Sequence, residues 1–237
     1  MKKKVNFFRY LVATCTLAGL VASAAASTQP PAASYPRMAP LSQYLMSDRA
    51  QEIALAKSAA PAAISDQATV LVLEPHGYVT AIKGKNGFVC AVERGWMSPF
   101  DAPQFWNPKL RGPICFNPEA AKSILPMTYK RTAWVIAGQS REEIKTHIEA
   151  ALATKQLPPL EPGAMSYMMS KQGFLDDQAG HWIPHLMFYT ATNVDWGADQ
   201  TGSPIMLNPQ FRGAPEPVNV FMIPAGKWSD GTAAPSM

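Results

Sequence analysis

Two histidines four residues apart, His181 and His185, are the side chains in this sequence most suited to chemistry. On a helix this spacing places both imidazoles on one face, which is how metalloproteases hold zinc. Pro184 lies between them and disfavours a helix, and in an extended strand their Cα atoms would lie about 13 Å apart. We therefore interpret His181 as a turn residue and His185 as a strand residue, and we predict no metal site.

A ligand pocket is the second hypothesis for this region. Residues 165–170 and 185–189 both alternate in polarity, and the loop of about a dozen residues between them is compatible with antiparallel neighbours. Tyr167 and His185 would then share one sheet face, beside an adaptable wall of methionines. The predicted pocket contains Tyr167, Lys171, His181 and His185, and its wall contains Met165, Met169, Met187 and Tyr189. An ordinary core with two polar tips is the alternative.

Other chemistry finds little support in the residue patterns. Ser166 does not lie in the Gly-x-Ser-x-Gly elbow of hydrolases, and the chain has no glycine-rich phosphate loop. The 12 methionines invite a Cu(I) hypothesis, but strand alternation separates Met165 and Met169 from Met168. We therefore predict no cofactor.

The first 26 residues have the pattern of a secretory signal peptide. Four cations, Lys2, Lys3, Lys4 and Arg9, precede an uncharged run over residues 10–26 that ends in small residues. Cys15 lies inside the apolar run, so we expect no lipid on it. The sequence predicts a signal peptide at 1–26, a flexible Ala-, Ser- and Pro-rich leader at 27–40, and a single domain at 41–237.

Charge and hydropathy narrow the class of partner. Without those four cations, 17 Lys plus Arg balance 17 Asp plus Glu, so the exported form is formally neutral. A neutral chain gives no support to nucleic-acid binding. No further apolar run approaches the ~20 residues of a membrane helix. We expect an exported protein, periplasmic or extracellular, without a membrane span.

Two cysteines, Cys90 and Cys115, remain after the signal peptide. In an oxidising compartment an even pair favours a disulfide, and two buried thiols are the alternative. The crosslink would join a strand that contains Cys90 to a long proline-rich loop, residues 94–117, that contains Cys115.

The elements predict an α+β domain, with a largely antiparallel sheet of about six strands and two or three packed helices. A helix over residues 47–58 would bury Ala50, Ile53 and Ala54, and a capping box at Ser140 to Glu143 begins another. Residues 69–93 predict a three-stranded meander. Residues 132–137 are ambiguous between strand and helix.

Four segments resemble a family of exported bacterial proteins that has no assigned activity. They are ATVLVLEPHGYVTAIKGKNGFVCAVERGW, GAMSYMMSKQG, HWIPHLMFY and KWSDGT, and the resemblance spans residues 47–232. It implies export and a single folded unit, and it implies no catalytic residue.

These features predict an exported, non-catalytic binding or structural protein, whose partner would be a small molecule or an envelope component. Two long loops rich in aromatic residues, 94–117 and 190–217, favour that function because such loops often carry ligand sites. The alternative is a hydrolase centred on His185, with Asp176 or Asp195 as the orienting carboxylate and Lys171 nearby.

Overall fold

This computed structural model of the chain describes residues 35–177, 180–192, 205–207 and 215–235, the third range by its backbone alone. The predicted signal peptide and most of the predicted leader lie outside these ranges. The described ranges form an α+β domain with eight strands and five helices, slightly more than predicted. The helices are α1 (Arg49–Lys57), α2 (Ala62–Ser65), α3 (Pro118–Ser123), α4 (Leu125–Ile136) and α5 (Arg141–Ala153).

One sheet contains all eight strands, in the order β2-β1-β3-β4-β5-β6-β8-β7. The strands are β1 (Thr69–Glu74), β2 (Gly77–Ile82), β3 (Val89–Glu93), β4 (Gly112–Phe116), β5 (Met165–Met168), β6 (His185–Ala191), β7 (Ile205–Leu207) and β8 (Val218–Pro224). All neighbours are antiparallel except β1 and β3, which are parallel. The predicted meander is therefore wrong, because β3 pairs with β1 and leaves β2 at the edge of the sheet.

One face of the sheet is covered by α1 and contains the predicted disulfide, and we call it the disulfide face. Cys90 and Cys115 lie opposite each other on β3 and β4, and their sulfurs are 2.03 Å apart. The prediction that Cys115 lies in a long loop is therefore wrong, because Cys115 belongs to β4. The disulfide indicates folding in an oxidising compartment.

Helix α1 lies within the predicted range 47–58, but its buried face differs from the prediction. The Asp48 side chain caps it by accepting hydrogen bonds from the backbone N–H groups of Ala50 and Gln51. Its buried residues are Glu52, Leu55 and Ala56, whereas Ala50 and Ala54 are exposed. The prediction placed only apolar residues on the buried face of α1. The helix instead buries the carboxylate of Glu52, which has a partner in the core.

The opposite face of the sheet is covered by α3, α4 and α5, and we call it the helix face. Asn117 caps α3, and Pro126 in the first turn of α4 separates the two helices at Ile124. Residues 132–137, the ambiguous segment, continue α4 to Ile136. Ser140 and Glu143 form the predicted capping box of α5.

The end of the predicted leader packs against the domain. Tyr35, Met38 and Ala39 contact an aromatic cluster that includes Tyr44, Trp96 and Phe105, so the packed region begins at least by Tyr35. The longest described helix, α5, has 13 residues, and none of the described helices has the length and hydropathy of a membrane span.

Candidate functional site

The register between β5 and β6 separates the two residues on which the predicted pocket depended. Met168 pairs with His185, and Tyr167 pairs with Leu186. Adjacent strand residues face opposite sides, so Tyr167 lies on the disulfide face and His185 on the helix face. The predicted pocket is therefore wrong in its geometry.

His185 is buried at the start of β6, only 3% exposed. Its Nδ1 lies 2.7 Å from the backbone carbonyl oxygen of Ile183. Burial lowers the pKa of His185, and the Ile183 carbonyl opposes that shift. An imidazole in this position is neutral near pH 7 and tied to the backbone, as in a satisfied core histidine. The hydrolase alternative stays a prediction, and Asp195 lies outside the described residues.

His181 and Lys171 lie at the surface. The His181 ring meets the Trp228 ring edge-on at 5.5 Å, and the Lys171 Nζ lies 2.9 Å from Asp230 Oδ2. Within the described ranges, no group of three or more His, Cys, Asp or Glu side chains could hold a metal ion.

A cavity of about 970 Å³ lies on the helix face of the sheet, away from the predicted pocket. Side chains of four strands, β3, β4, β6 and β8, form its floor, among them Ile114, Phe116, Met187 and Val220. The opposite wall comes from the helices and the segment after α5, and includes Ile124, Met127, Leu152 and Leu157. Some of the lining residues are exposed, including Lys155, Pro158 and Ala191, and we call this part of the cavity its mouth. A largely apolar cavity of this size suits a small molecule.

Glu93 is the carboxyl group of the cavity floor. It ends β3 opposite Gly112, and alternation places it on the helix face with Ala91. It lies deep in the protein yet keeps some accessible surface, because it borders the cavity. Its Oε1 accepts a hydrogen bond from Thr128 Oγ1 at 3.2 Å. Burial raises the pKa of Glu93 to about 7, although the Thr128 hydroxyl and the Arg131 charge oppose the shift.

Arg131 does not form an ion pair with Glu93 because it is committed elsewhere. Its Nη2 donates to Glu216 Oε1, and its Nη1 donates to the carbonyl oxygens of Trp96 at 3.2 Å and Ser98 at 3.3 Å. Its guanidinium also lies 4.5 Å from the centre of the Phe100 ring. Glu216 thus compensates the Arg131 charge, and both residues border the cavity.

A buried hydrogen bond completes the floor. The Tyr189 hydroxyl lies 2.8 Å from Ser166 Oγ, and both residues are buried. Burial raises the pKa of Tyr189, and the nearby Glu93 adds to that shift, so the phenol stays neutral. The cavity therefore contains neutral polar groups beside one compensated ion pair.

The sequence contained one signal for this site. The pattern of β3 places Val89, Ala91 and Glu93 on one face, so a glutamate ends an otherwise apolar strand face. Such a residue marks either a sheet edge or a buried acid. Its cavity partners come from α4, β6 and residue 216, and no local spacing links them.

A scan against protein-family models found no match, and searches of curated proteins and of solved structures found none either. The resemblance to exported bacterial proteins therefore stays a prediction, and the functional argument rests on the geometry of the site.

Proposed function

We propose that this protein is an exported binding module that holds a small, mainly apolar molecule in the cavity between the sheet and helices α3 to α5. The observation that carries the proposal is the cavity itself, about 970 Å³ in volume, with apolar walls and a few polar groups at one end. A cavity of this size, mainly apolar and with a small number of polar groups, is typical of small-molecule binding sites.

Titration with phenylnaphthylamine, a neutral apolar dye that fluoresces when it leaves water, tests the proposal. We expect saturable binding of about one dye per chain, as for a single pocket. Met187→Trp should abolish it, because Met187 lines the floor and the indole would fill the space. Ile223→Trp is the matched control, since Ile223 lies on the other face of the neighbouring strand and is 46% exposed.

Two results would refute the binding function. One is the absence of saturable binding to the folded wild-type chain both by this dye and by prodan, a neutral ketone dye of similar size. The other is equal dye affinity in Met187→Trp and Ile223→Trp, which would place the dye outside the cavity. Circular dichroism of each variant checks that the fold is retained.

The proposal of export rests on the signal-like pattern of residues 1–26 and is supported by the Cys90–Cys115 disulfide. Intact-mass analysis of the protein from its native host should find a chain that begins after Ala24 or Ala26 and carries no lipid. A mass that retains residues 1–26 would refute export by this route.

A further inference from the structure

The polar end of the cavity selects among apolar ligands. Of the two carboxyl groups that border it, Glu216 is paired with Arg131, whereas the only hydrogen-bond partner of Glu93 among the described residues is the Thr128 hydroxyl at Oε1. The Glu93 side chain borders the cavity, so the rest of its carboxyl group is available to an occupant. A buried acid that lacks a cation of its own is stable in the protonated form, which donates one hydrogen bond.

The surroundings of Glu93 are uncharged or already compensated. Helix α4 presents Thr128 and Arg131, and the Arg131 charge is paired with Glu216. Strands β6 and β2 present the phenols of Tyr189 and Tyr78, and burial raises the pKa of both. Gly112 on β4 has no side chain. Lys155, the remaining cation that borders the cavity in the described ranges, is an exposed residue at the mouth.

These contacts restrict the chemistry of the ligand's inner end. A carboxylate there would be buried without a cation to pair with, because the Arg131 charge is already paired with Glu216, and an ammonium would be buried beside the neutral form of Glu93. A hydrocarbon would leave the carboxyl proton without an acceptor, and a buried donor without a partner is unfavourable. An uncharged oxygen acceptor avoids all three penalties.

We propose that the ligand carries an uncharged oxygen acceptor at its inner end, such as the carbonyl group of a ketone, ester or amide, and that this oxygen accepts a hydrogen bond from the Glu93 carboxyl group. This inference rests on the proposed binding function and deepens it by naming the ligand class. Because ionised Glu93 can no longer donate, affinity for such a ligand falls when the pH rises above the pKa of about 7.

A comparison of two dyes tests the inference. Prodan is a neutral naphthalene ketone, and phenylnaphthylamine is a neutral aromatic amine of similar size without a carbonyl group. Between pH 6 and pH 8 the protonated fraction of an acid with a pKa of about 7 falls about tenfold. We therefore expect prodan affinity to fall by about tenfold over this range, and phenylnaphthylamine affinity to change much less.

Glu93→Gln is the decisive variant, because the amide donates a hydrogen bond at every pH. It should keep the prodan affinity that the wild type has at pH 6 and lose the pH dependence. Glu149→Gln, on an exposed position of α5, is the matched control and should behave as wild type.

The possible failures are distinguishable. If Glu93→Gln retains the pH dependence, or if both dyes weaken equally in the wild type, the hydrogen bond to the ligand carbonyl is refuted while the binding function stands. If neither dye binds at pH 6, the binding function is refuted and this inference is refuted with it.

Discussion

Buried charged groups have different partners on the two faces of the sheet, and the consecutive residues Glu93 and Arg94 show the difference. Arg94 points to the disulfide face and is fully buried. Its Nη2 lies 2.8 Å from Glu52 Oε1. Its other nitrogens donate to the carbonyl oxygens of Tyr44 and Val92. Glu93 points to the helix face, has one hydroxyl partner and borders a cavity.

The contrast indicates that the charged residues of the disulfide face stabilise the fold, whereas those of the helix face are suited to contact a ligand. On the disulfide face, Glu52 Oε1 also accepts the backbone N–H of Leu73, so the ion pair connects helix, strand and loop. Such a network leaves nothing for a ligand to bind. On the helix face the polar groups are incompletely used and the packing is incomplete, which is the usual condition of a binding site.

The largest expected effect comes from breaking the Glu52–Arg94 pair. Glu52→Gln leaves the Arg94 charge buried without compensation, and we expect the free energy of unfolding to fall by about 4 kcal/mol. Chemical denaturation measures it, with Glu149→Gln as the control. A loss below about 1 kcal/mol would mean that the buried pair contributes no more than a surface pair.

The disulfide lies on the same face, and its removal should lower the free energy of unfolding slightly less. The crosslink closes a separation of 25 residues. Loss of this closure in a Cys90→Ala, Cys115→Ala variant should lower the free energy of unfolding by about 3.5 kcal/mol. Phenylnaphthylamine binding at a temperature where the variant is folded should persist. Loss of dye binding by the folded variant would show that the two faces are not independent.

The third effect depends on pH and concerns Glu93. Its pKa is about 7 in the folded protein against an ordinary value of 4.5. Between these pH values the folded chain holds a proton that the unfolded chain has lost, so this contribution is complete below 4.5 and lost as the pH rises through 7. The slope attributable to Glu93 is at most about 1.4 kcal/mol per pH unit.

Denaturation curves from pH 5 to pH 8 should therefore show Glu93→Gln becoming more stable than wild type as the pH rises. The wild-type contribution is complete only below pH 4.5, so the two stabilities should approach each other towards the low end of this range and differ most at pH 7 and above. Parallel curves for the two proteins would contradict the raised pKa and would make Glu93 an ordinary solvated carboxylate.

Local patterns predicted the parts of the fold that depend on local physics. The capping box of Ser140 and Glu143 consists of short-range hydrogen bonds, and it is present. The Cys90–Cys115 disulfide followed from an even count and an expected oxidising compartment. The parallel pairing of β1 with β3 was missed, because hairpin signals indicate an antiparallel neighbour and say nothing about the other edge of β1.

The site was missed for two physical reasons. Strand register has a period of two, so the pairing of Met168 with His185 instead of Tyr167 separated the predicted residues onto opposite faces. The cavity also brings together Glu93, Arg131 and Glu216, which are far apart in the chain. Only the packing of α4 against the sheet connects them.

The smallest expected effect concerns Lys171, which the sequence placed in the pocket. Its Nζ contacts Asp230 Oδ2 with both side chains about half exposed, and surface pairs of this kind contribute little because water screens them. Asp230 also accepts hydrogen bonds from the Thr232 hydroxyl and backbone N–H, which with Lys171 hold its pKa at about 2. Lys171→Ala should therefore shift the thermal midpoint by less than about 2 °C and leave the affinity for both dyes unchanged. A marked loss of dye affinity in Lys171→Ala would move the binding site from the cavity beside Glu93 to the surface near Asp230, and would reverse the roles assigned to the two regions.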